Sequence, residues 1–220
     1  MKTLIVIPAR MASSRFPGKP LVKIAGREMI LRVCDQLPNF EKIVATPDQE
    51  IYDCVVSAGF SAFLTQTDCQ TGTDRLVEVA EKIPADVYIN VQGDEPLISE
   101  LALFAIDKAK KEENNYIIGT VSKMENDTND VKCILQDGIL TGISRTIYRQ
   151  RGIYALNGED LRLFGQAEKT ENEAIEIMRF MHMGLPVKMV VIDDTPDVNI
   201  PDDIKKIEER LICQDQNQQQ

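Results

Sequence analysis

The chain has 220 residues, of which 43% are apolar, and its formal net charge is −10. This length suits one domain with a large core, and no apolar run is long enough for a membrane-spanning helix. The acidic balance disfavours nucleic-acid binding, and the single histidine, His182, disfavours a histidine-based zinc site. The scattered cysteines contain no C-x-x-C pair, which is typical of reduced thiols in a cytoplasmic protein.

Strands and helices alternate through the first half of the chain. The N-terminal apolar run is too short for a signal peptide, and we interpret it as the first strand. Apolar runs predict strands at residues 4–8, 42–46, 60–64 and 86–91. Helical apolar spacing predicts helices at residues 26–37, 49–57, 73–82 and 99–110. This alternation predicts an α/β fold with a doubly wound, mostly parallel sheet.

The second half has a different rhythm, because short apolar runs follow one another with only polar turns between them. These runs predict antiparallel or mixed strands added to the sheet, at residues 116–122, 131–135, 139–144, 152–156 and 187–192. Helices are predicted at residues 158–165, 170–183 and 201–212. We therefore expect one domain over residues 1–212 and a polar, disordered tail over residues 213–220.

Several common nucleotide-binding and nucleophile motifs are absent from the sequence. Gly18-Lys19 is followed by Pro20, so the chain has no Walker P-loop, and no G-x-G-x-x-G follows the first strand. The sequence also lacks G-x-S-x-G and a Cys/His nucleophile arrangement. Covalent catalysis is therefore not the favoured chemistry.

The first predicted strand runs directly into a loop that contains the cations Arg10, Arg15 and Lys19. Gly18 and the prolines beside it favour a shaped loop over a helix. A buried strand followed by a basic loop is typical of nucleotide sites in α/β proteins. The three cations are therefore candidates to neutralise a triphosphate and the leaving pyrophosphate. Solvated surface charge is the alternative.

Two polar turns add to this candidate site. In residues 70–75, Gly72 permits close approach to a ligand, although the Thr and Asp beside it form a helix N-cap, which is the favoured role of this segment taken alone. In residues 90–96, Asp94 follows a buried strand and can hold Mg²⁺ against phosphate oxygens, with a plain turn as the alternative. The acidic stretch 193–203 either completes a metal site or forms a solvated loop, and the sequence leaves both open.

These motifs resemble, in their order, those of the sugar-acid cytidylyltransferases, and among them the group that activates 3-deoxy-manno-octulosonate (Kdo). The resemblance implies a glycosyltransferase-A-like nucleotide-binding fold, a homodimer and a role in lipopolysaccharide biosynthesis. It further implies Mg²⁺-dependent transfer of CMP from CTP to the anomeric hydroxyl of an acidic 3-deoxy sugar, with release of pyrophosphate. The matching segments are residues 7–21, 70–75, 91–96, 129–132, 144–145, 152–154, 173–179 and 198–204.

The resemblance assigns roles to residues at the matching positions. The expected catalytic residues are Arg15, Lys19 and Asp94, and Asp94 is also the expected metal ligand. The residues expected to bind the nucleotide are Pro8, Ala9, Arg10, Arg15, Lys19, Gly72, Arg75 and Gln92. The residues expected to bind the sugar are Gln92, Glu95, Arg145, Gln150, Tyr154, Glu173 and Glu176.

The chain departs from the family pattern on the sugar side and at the second metal position. Asn199 stands where the family has its second metal carboxylate, so the second ligand is either Asn199 or the nearby Asp197, or the metal rests on Asp94 and substrate phosphates alone. Gln150 replaces a family histidine, and Ile177 replaces a family glutamine. The sequence therefore supports use of CTP better than use of Kdo. Two alternatives stay open, namely transfer to another sugar or alcohol, and nucleotide binding with weakened catalysis.

Two further features receive a structural interpretation. His182 lies among methionines near the end of a predicted helix, where a packing or surface role is expected. The charge run that begins at Lys110 is interpreted as a solvated helix end. Neither feature enters the predicted site.

Overall fold

The computed structural model of the chain describes residues 1–13, 15–66, 69–123, 133–143, 148–167 and 176–217. Its strands are β1 (Thr3–Pro8), β2 (Lys23–Ile24), β3 (Arg27–Glu28), β4 (Lys42–Thr46), β5 (Ala62–Leu64), β6 (Val87–Asn90), β7 (Ile117–Lys123), β8 (Cys133–Gln136), β9 (Ile139–Ile143), β10 (Tyr148–Leu156) and β11 (Val187–Val191). Its helices are α1 (Met29–Asp35), α2 (Gln49–Ser57), α3 (Gly72–Lys82), α4 (Glu100–Glu112), α5 (Gly158–Gln166), α6 (Glu176–His182) and α7 (Asp203–Asn217). Within these ranges, no helix has both the length and the apolar character needed to span a membrane.

The main sheet is mixed and has the strand order β5-β4-β1-β6-β10-β7-β11-β9-β8. Strands β5, β4, β1 and β6 are parallel to one another and form one half of the sheet. Strand β10 lies antiparallel between β6 and β7, and the far edge is completed by the antiparallel pair β8 and β9. The predicted α/β fold with added antiparallel strands is therefore confirmed.

The sheet is buried on both faces, and β1 shows why its sequence is apolar without interruption. Ile5 and Ile7 pack on one face with residues of α1, α2 and α4. Leu4 and Val6 pack on the other face with residues of α3, α5 and α6. Successive side chains of a strand point to opposite faces, so a strand covered on both sides needs apolar residues at every position.

Some predicted boundaries are wrong. Residues 26–28 belong to the hairpin of β2 and β3, because Ala25 and Gly26 adopt positive φ values of 45° and 80° and reverse the chain before α1 begins. Strand β10 begins at Tyr148, not at Gly152, and α7 continues to Asn217, so residues 213–217 are helical. The single domain over residues 1–212 stays a prediction.

The charge run at the end of α4 is not wholly solvated. Lys110 is fully buried, and its Nζ lies 2.6 Å from Oδ2 of Asp160. The ammonium also donates to the carbonyl oxygens of Asn114 at 3.0 Å and Tyr116 at 2.7 Å. Burial lowers the pKa of Lys110, against the opposing effect of Asp160. The interpretation of this lysine as solvated is therefore wrong, since its ammonium joins α4 to α5.

Candidate active site

A cleft of about 480 Å³ lies at the carboxyl ends of β1 and β6. Because these strands are parallel, the turns that follow them meet at one edge of the sheet. The cleft brings together every residue that the sequence predicts to bind the nucleotide or to be catalytic. Its walls include Pro8, Ala9, Arg10, Arg15, Lys19, Gly72, Arg75, Gln92, Asp94 and Glu176.

The basic loop that follows β1 is held in place by backbone contacts. The amide of Met11 donates to Oδ2 of Asp48 at 2.7 Å, and the amide of Gly18 donates to the carbonyl of Met11 at 3.0 Å. Gly18 has a φ of 72°, a conformation that favours glycine. Asp48 precedes α2 without capping it through its side chain. These hydrogen bonds hold Met11 and Gly18 in place, while Arg10 and Arg15 are exposed.

Lys19 connects the basic loop to the acidic turn after β6. Its Nζ lies 2.6 Å from Oδ2 of Asp94 and donates to the carbonyl of Val198 at 2.8 Å. The amide of Val198 in turn donates to the carbonyl of Asp94 at 3.0 Å. The lysine side chain is only 13% exposed. Three segments that are distant in sequence are thereby joined at one wall of the cleft.

The first turn of α3 forms a second wall. Thr71 and Asp74 make a capping box, which confirms the predicted N-cap. Burial alone would raise the pKa of Asp74, but hydrogen bonds from Thr71 and Arg179 outweigh it and lower the pKa. A Cβ atom on Gly72 would lie only 2.9 Å from Cγ of Pro8, so the close approach of β1 and α3 requires glycine here.

Arg75 and Glu176 lie beside this helix start. The Arg75 guanidinium is buried and donates to the carbonyls of Thr71 at 2.9 Å and Cys69 at 3.3 Å, and burial lowers its pKa. The Glu176 carboxylate accepts from the amide of Thr73 at 3.1 Å and from its hydroxyl at 2.8 Å. Burial raises the pKa of Glu176 against the effect of these hydrogen bonds.

The residues predicted to contact the sugar are only partly on the cleft. Gln92 and Glu176 line it, whereas Glu95, Gln150 and Tyr154 do not. Glu95 is 3% exposed and pairs with Arg151, and Tyr154 is 2% exposed in the core with its hydroxyl hydrogen-bonded to Gln150. Strand β10 lies between β6 and β7 in the sheet, so the Tyr154 side chain packs in the core and does not reach the cleft. Arg145 and Glu173 lie outside the described residues.

The predicted metal ligands do not all lie on the cleft. Asp94 lies on the cleft wall, but Asp197 and Asn199 do not. The carboxylate of Asp197 accepts from Nη2 of Arg149 at 2.7 Å and from Nδ2 of Asn199 at 2.8 Å. Among the described residues, no group of three or more His, Cys, Asp or Glu side chains is arranged to hold a metal ion.

Sequence reasoning missed the role of the two arginines of β10. Arg149 pairs with Asp197, and Arg151 pairs with Glu95 at 2.9 Å, so both arginines hold acidic residues near the cleft. Burial raises the pKa of Glu95 to about 7, against the opposing effect of the Arg151 guanidinium. The sequence did contain a signal for this role, because Arg149 and Arg151 stand at alternate positions directly before the strand predicted at residues 152–156.

The parallel sheet edge, with a cationic loop and an acidic turn at one cleft, defines the chain as an α/β nucleotidyltransferase. A profile of the cytidylyltransferase family matches residues 4–209. The 3-deoxy-manno-octulosonate cytidylyltransferase of Chlamydia pneumoniae is 33% identical to this chain, over an alignment that covers 94% of this chain and 93% of that enzyme. The enzyme of the same name from Escherichia coli is 32% identical and covers 94% of each. The chain belongs to the 3-deoxy-manno-octulosonate cytidylyltransferase family.

Solved structures agree with this placement. The structure of CMP:2-keto-3-deoxy-manno-octonic acid synthetase complexed with CTP superposes with a TM-score of 0.89 at 30% identity, covering 98% of this chain and all of that one. A glucose-1-phosphate thymidylyltransferase structure from Bacillus anthracis, described as putative, has a TM-score of 0.73 at 13% identity, with 94% of each chain covered. The second similarity concerns the fold alone.

Proposed function

We propose that the protein transfers CMP from CTP to the anomeric hydroxyl of Kdo and releases pyrophosphate. The observation that carries this proposal is the cleft at the ends of β1 and β6, which brings Arg10, Arg15, Lys19 and Asp94 together. The relatives named for this reaction cover more than nine-tenths of the chain, which supports the same substrates here. A homodimer and a cytoplasmic location stay predictions.

The chemistry that suits this cleft is in-line nucleotidyl transfer. The sugar hydroxyl releases its proton to solvent, and its oxygen forms a bond to the α-phosphorus as the bond from that phosphorus to the bridging oxygen breaks. The bridging oxygen leaves with pyrophosphate. Such a reaction depends on alignment and on neutralisation of charge more than on covalent catalysis. Arg10, Arg15 and Lys19 supply the positive charge from one loop, with Lys19 the most buried of the three.

The donors present at the cleft fit a magnesium ion bound together with the nucleotide. Mg²⁺ is usually held by one or two carboxylates and by substrate phosphates. Asp94 supplies a carboxylate on the cleft wall, and its Oδ2 is the oxygen paired with Lys19. Bound there, the ion would withdraw negative charge from the phosphate oxygens. Asp197 is the weaker candidate for a second ligand, because both its oxygens already accept protein hydrogen bonds.

The sugar contacts divide into two groups. Gln92 and Glu176 line the cleft and are proposed to touch the sugar directly. Glu95, Gln150 and Tyr154 lie behind the cleft wall, and we propose that they support it from there. The side chain of Gln92 donates from Nε2 to the carbonyl of Gly152 at 3.4 Å, where a bulge interrupts the pairing of β10 with β7.

The test is pyrophosphate release by the purified protein with CTP, Mg²⁺ and a panel of acceptors. We expect release with Kdo and related acidic 3-deoxy sugars, and little release with neutral sugar phosphates or alcohols. Strong activity with a neutral acceptor would favour the alternative acceptor class. CTP binding by calorimetry without turnover, insensitive to Asp94→Ala, would instead favour a nucleotide-binding protein with weakened catalysis.

A further inference from the structure

A cluster of charged and polar side chains lies directly behind the acidic turn of the cleft, and its central pair, Arg151 and Glu95, is buried. We call it the Arg151 cluster, and it consists of Glu95, Arg151, Asp194 and Thr195. One guanidinium contacts all three partners, with Nη2 at 2.9 Å from Oε2 of Glu95 and 3.3 Å from Oγ1 of Thr195, and with Nη1 at 3.4 Å from Oδ1 of Asp194. The side chains of Arg151 and Glu95 are 1% and 4% exposed.

The position of Arg151 in the sheet directs it to this place. Strand β10 pairs with β7 up to Arg151, which lies opposite Thr120, and the register then shifts before Tyr154. Beyond the shift, β10 also pairs with β6, whose last residue is Asn90. The bulge therefore sets Arg151 where β10 separates from the turn that follows β6. A bulge commonly redirects side chains in this way beside a functional site.

The Arg151 cluster is connected to Asp94 from two directions. On one side, Glu95 directly follows Asp94 in the chain. On the other side, Asp194 and Thr195 belong to the segment that continues to Val198, whose amide donates to the carbonyl of Asp94 and whose carbonyl accepts from Lys19. Ser122 adds a hydrogen bond of 2.8 Å to Oδ1 of Asp194. Both segments that hold Asp94 are thus fixed to one guanidinium.

We propose that Arg151 is a positioning residue for nucleotidyl transfer, which holds the Asp94 carboxylate and Lys19 in place for the metal-bound triphosphate. This inference rests on the proposed function. Arg151 lies outside the set of residues that line the cleft, so it acts through its neighbours and not by touching the substrate. Removal of a group that orients a metal-binding carboxylate commonly lowers metal affinity or activity by about 10- to 100-fold.

A role in stability alone makes a different prediction. Removing one partner of a buried ion pair destabilises a protein strongly, whereas replacing both partners by neutral groups is often tolerated. The variant Arg151→Met/Glu95→Gln therefore removes the pair without leaving a buried unpaired charge. The matched control is Lys110→Met/Asp160→Asn, which neutralises a buried pair away from the cleft, with a distance of 2.6 Å, between α4 and α5.

The experiment measures metal binding and turnover separately. Mn²⁺, as a paramagnetic substitute for Mg²⁺, is titrated into each variant mixed with an equal concentration of CTP, and the free ion is followed by electron paramagnetic resonance. The Mn²⁺ bound by CTP alone is subtracted with a titration that contains no protein. We expect the apparent Kd for Mn²⁺ to rise by about 10-fold or more in Arg151→Met/Glu95→Gln and to stay near the wild-type value in the control. The kcat with Mg²⁺ should fall in parallel, with a smaller change in KM for CTP.

A single variant covers the case in which the double variant does not fold. Arg151→Lys keeps a positive charge beside Glu95 but replaces the planar fork by one ammonium, which cannot reproduce the contacts to all its partners. It should also bind Mn²⁺ more weakly than wild type. Wild-type Mn²⁺ binding in the folded Arg151 variants would overturn the inference. A wild-type protein that did not bind Mn²⁺ with CTP, or that did not turn over CTP, would instead overturn the proposed function.

Discussion

Replacing Lys19 by methionine should abolish most catalysis while the fold stays intact. The lysine side chain is 13% exposed and lies on the cleft wall, with its Nζ 2.6 Å from Oδ2 of Asp94. Methionine keeps most of the volume of the lysine stem and removes only the charge and its hydrogen bonds. Asp94 keeps access to water, because its side chain is 26% exposed, so we expect a small change in stability.

The size of the catalytic effect follows from electrostatics. A unit positive charge about 4 Å from a phosphate oxygen contributes about 4 kcal/mol at an effective dielectric constant of about 20. Since about 1.4 kcal/mol corresponds to a tenfold change in rate, the upper limit is about a thousandfold. Removal of one group that stabilises a developing anion typically lowers kcat by about 100- to 1000-fold. We therefore expect Lys19→Met to lower kcat/KM by about 100- to 1000-fold.

The assay is continuous detection of pyrophosphate with CTP, Mg²⁺ and Kdo. The matched control is Lys23→Met, because the Lys23 side chain is 65% exposed and its Nζ lies 3.7 Å from Glu28, away from the cleft. Activity of Lys19→Met within tenfold of wild type would refute the assigned role of Lys19. Unchanged circular dichroism of both variants would establish that the comparison concerns catalysis.

Three further predictions concern packing and charge. Gly72→Ala should lower kcat/KM by about 10- to 100-fold because its Cβ would displace the wall of the cleft, whereas Gly158→Ala, with no atom within 4 Å of the new Cβ, should not. Equal activity of the two variants would contradict this. Lys110→Met should lower the free energy of unfolding, measured with urea, by about 3–5 kcal/mol, because it leaves the buried Asp160 carboxylate without its ion-pair partner. The change for the exposed control Lys108→Met should be below about 0.5 kcal/mol. The pKa of Asp74 is lowered by folding, so its stabilising contribution is complete above about pH 4 and is lost as the pH falls. Wild type should therefore lose stability below about pH 4 more steeply than Asp74→Asn; parallel curves would contradict the assignment.

The nucleotide half of the cleft was predictable from sequence because its determinants are local. An apolar strand that leads into a basic loop, or into a Gly-Asp turn, specifies both the element and the sheet edge at which it ends. Arg10, Lys19 and Asp94 therefore met at one cleft, as predicted. The capping box at Thr71 could be read in the same way, since its residues are three positions apart.

The buried charges were not predictable because their partners are distant in the chain. Lys110 stands in a charge run typical of a solvated helix end, yet its carboxylate partner is 50 residues away. Arg151 likewise meets Glu95 across 56 residues. No local pattern distinguishes such residues from exposed ones, since burial of a charge is decided by tertiary contacts. The Ala25-Gly26 hairpin was missed for a local reason, because its sequence also suits a helix start.

The most direct test of the proposed reaction is a ³¹P nuclear magnetic resonance time course with the purified protein, CTP, Mg²⁺ and Kdo. We expect the CTP signals to disappear while pyrophosphate and a single CMP–sugar phosphodiester appear in equal amounts. The Lys19→Met protein should leave the CTP signals almost unchanged over the same period. Persistence of CTP with the wild-type protein, or release of free CMP or phosphate without the phosphodiester, would contradict the proposed reaction.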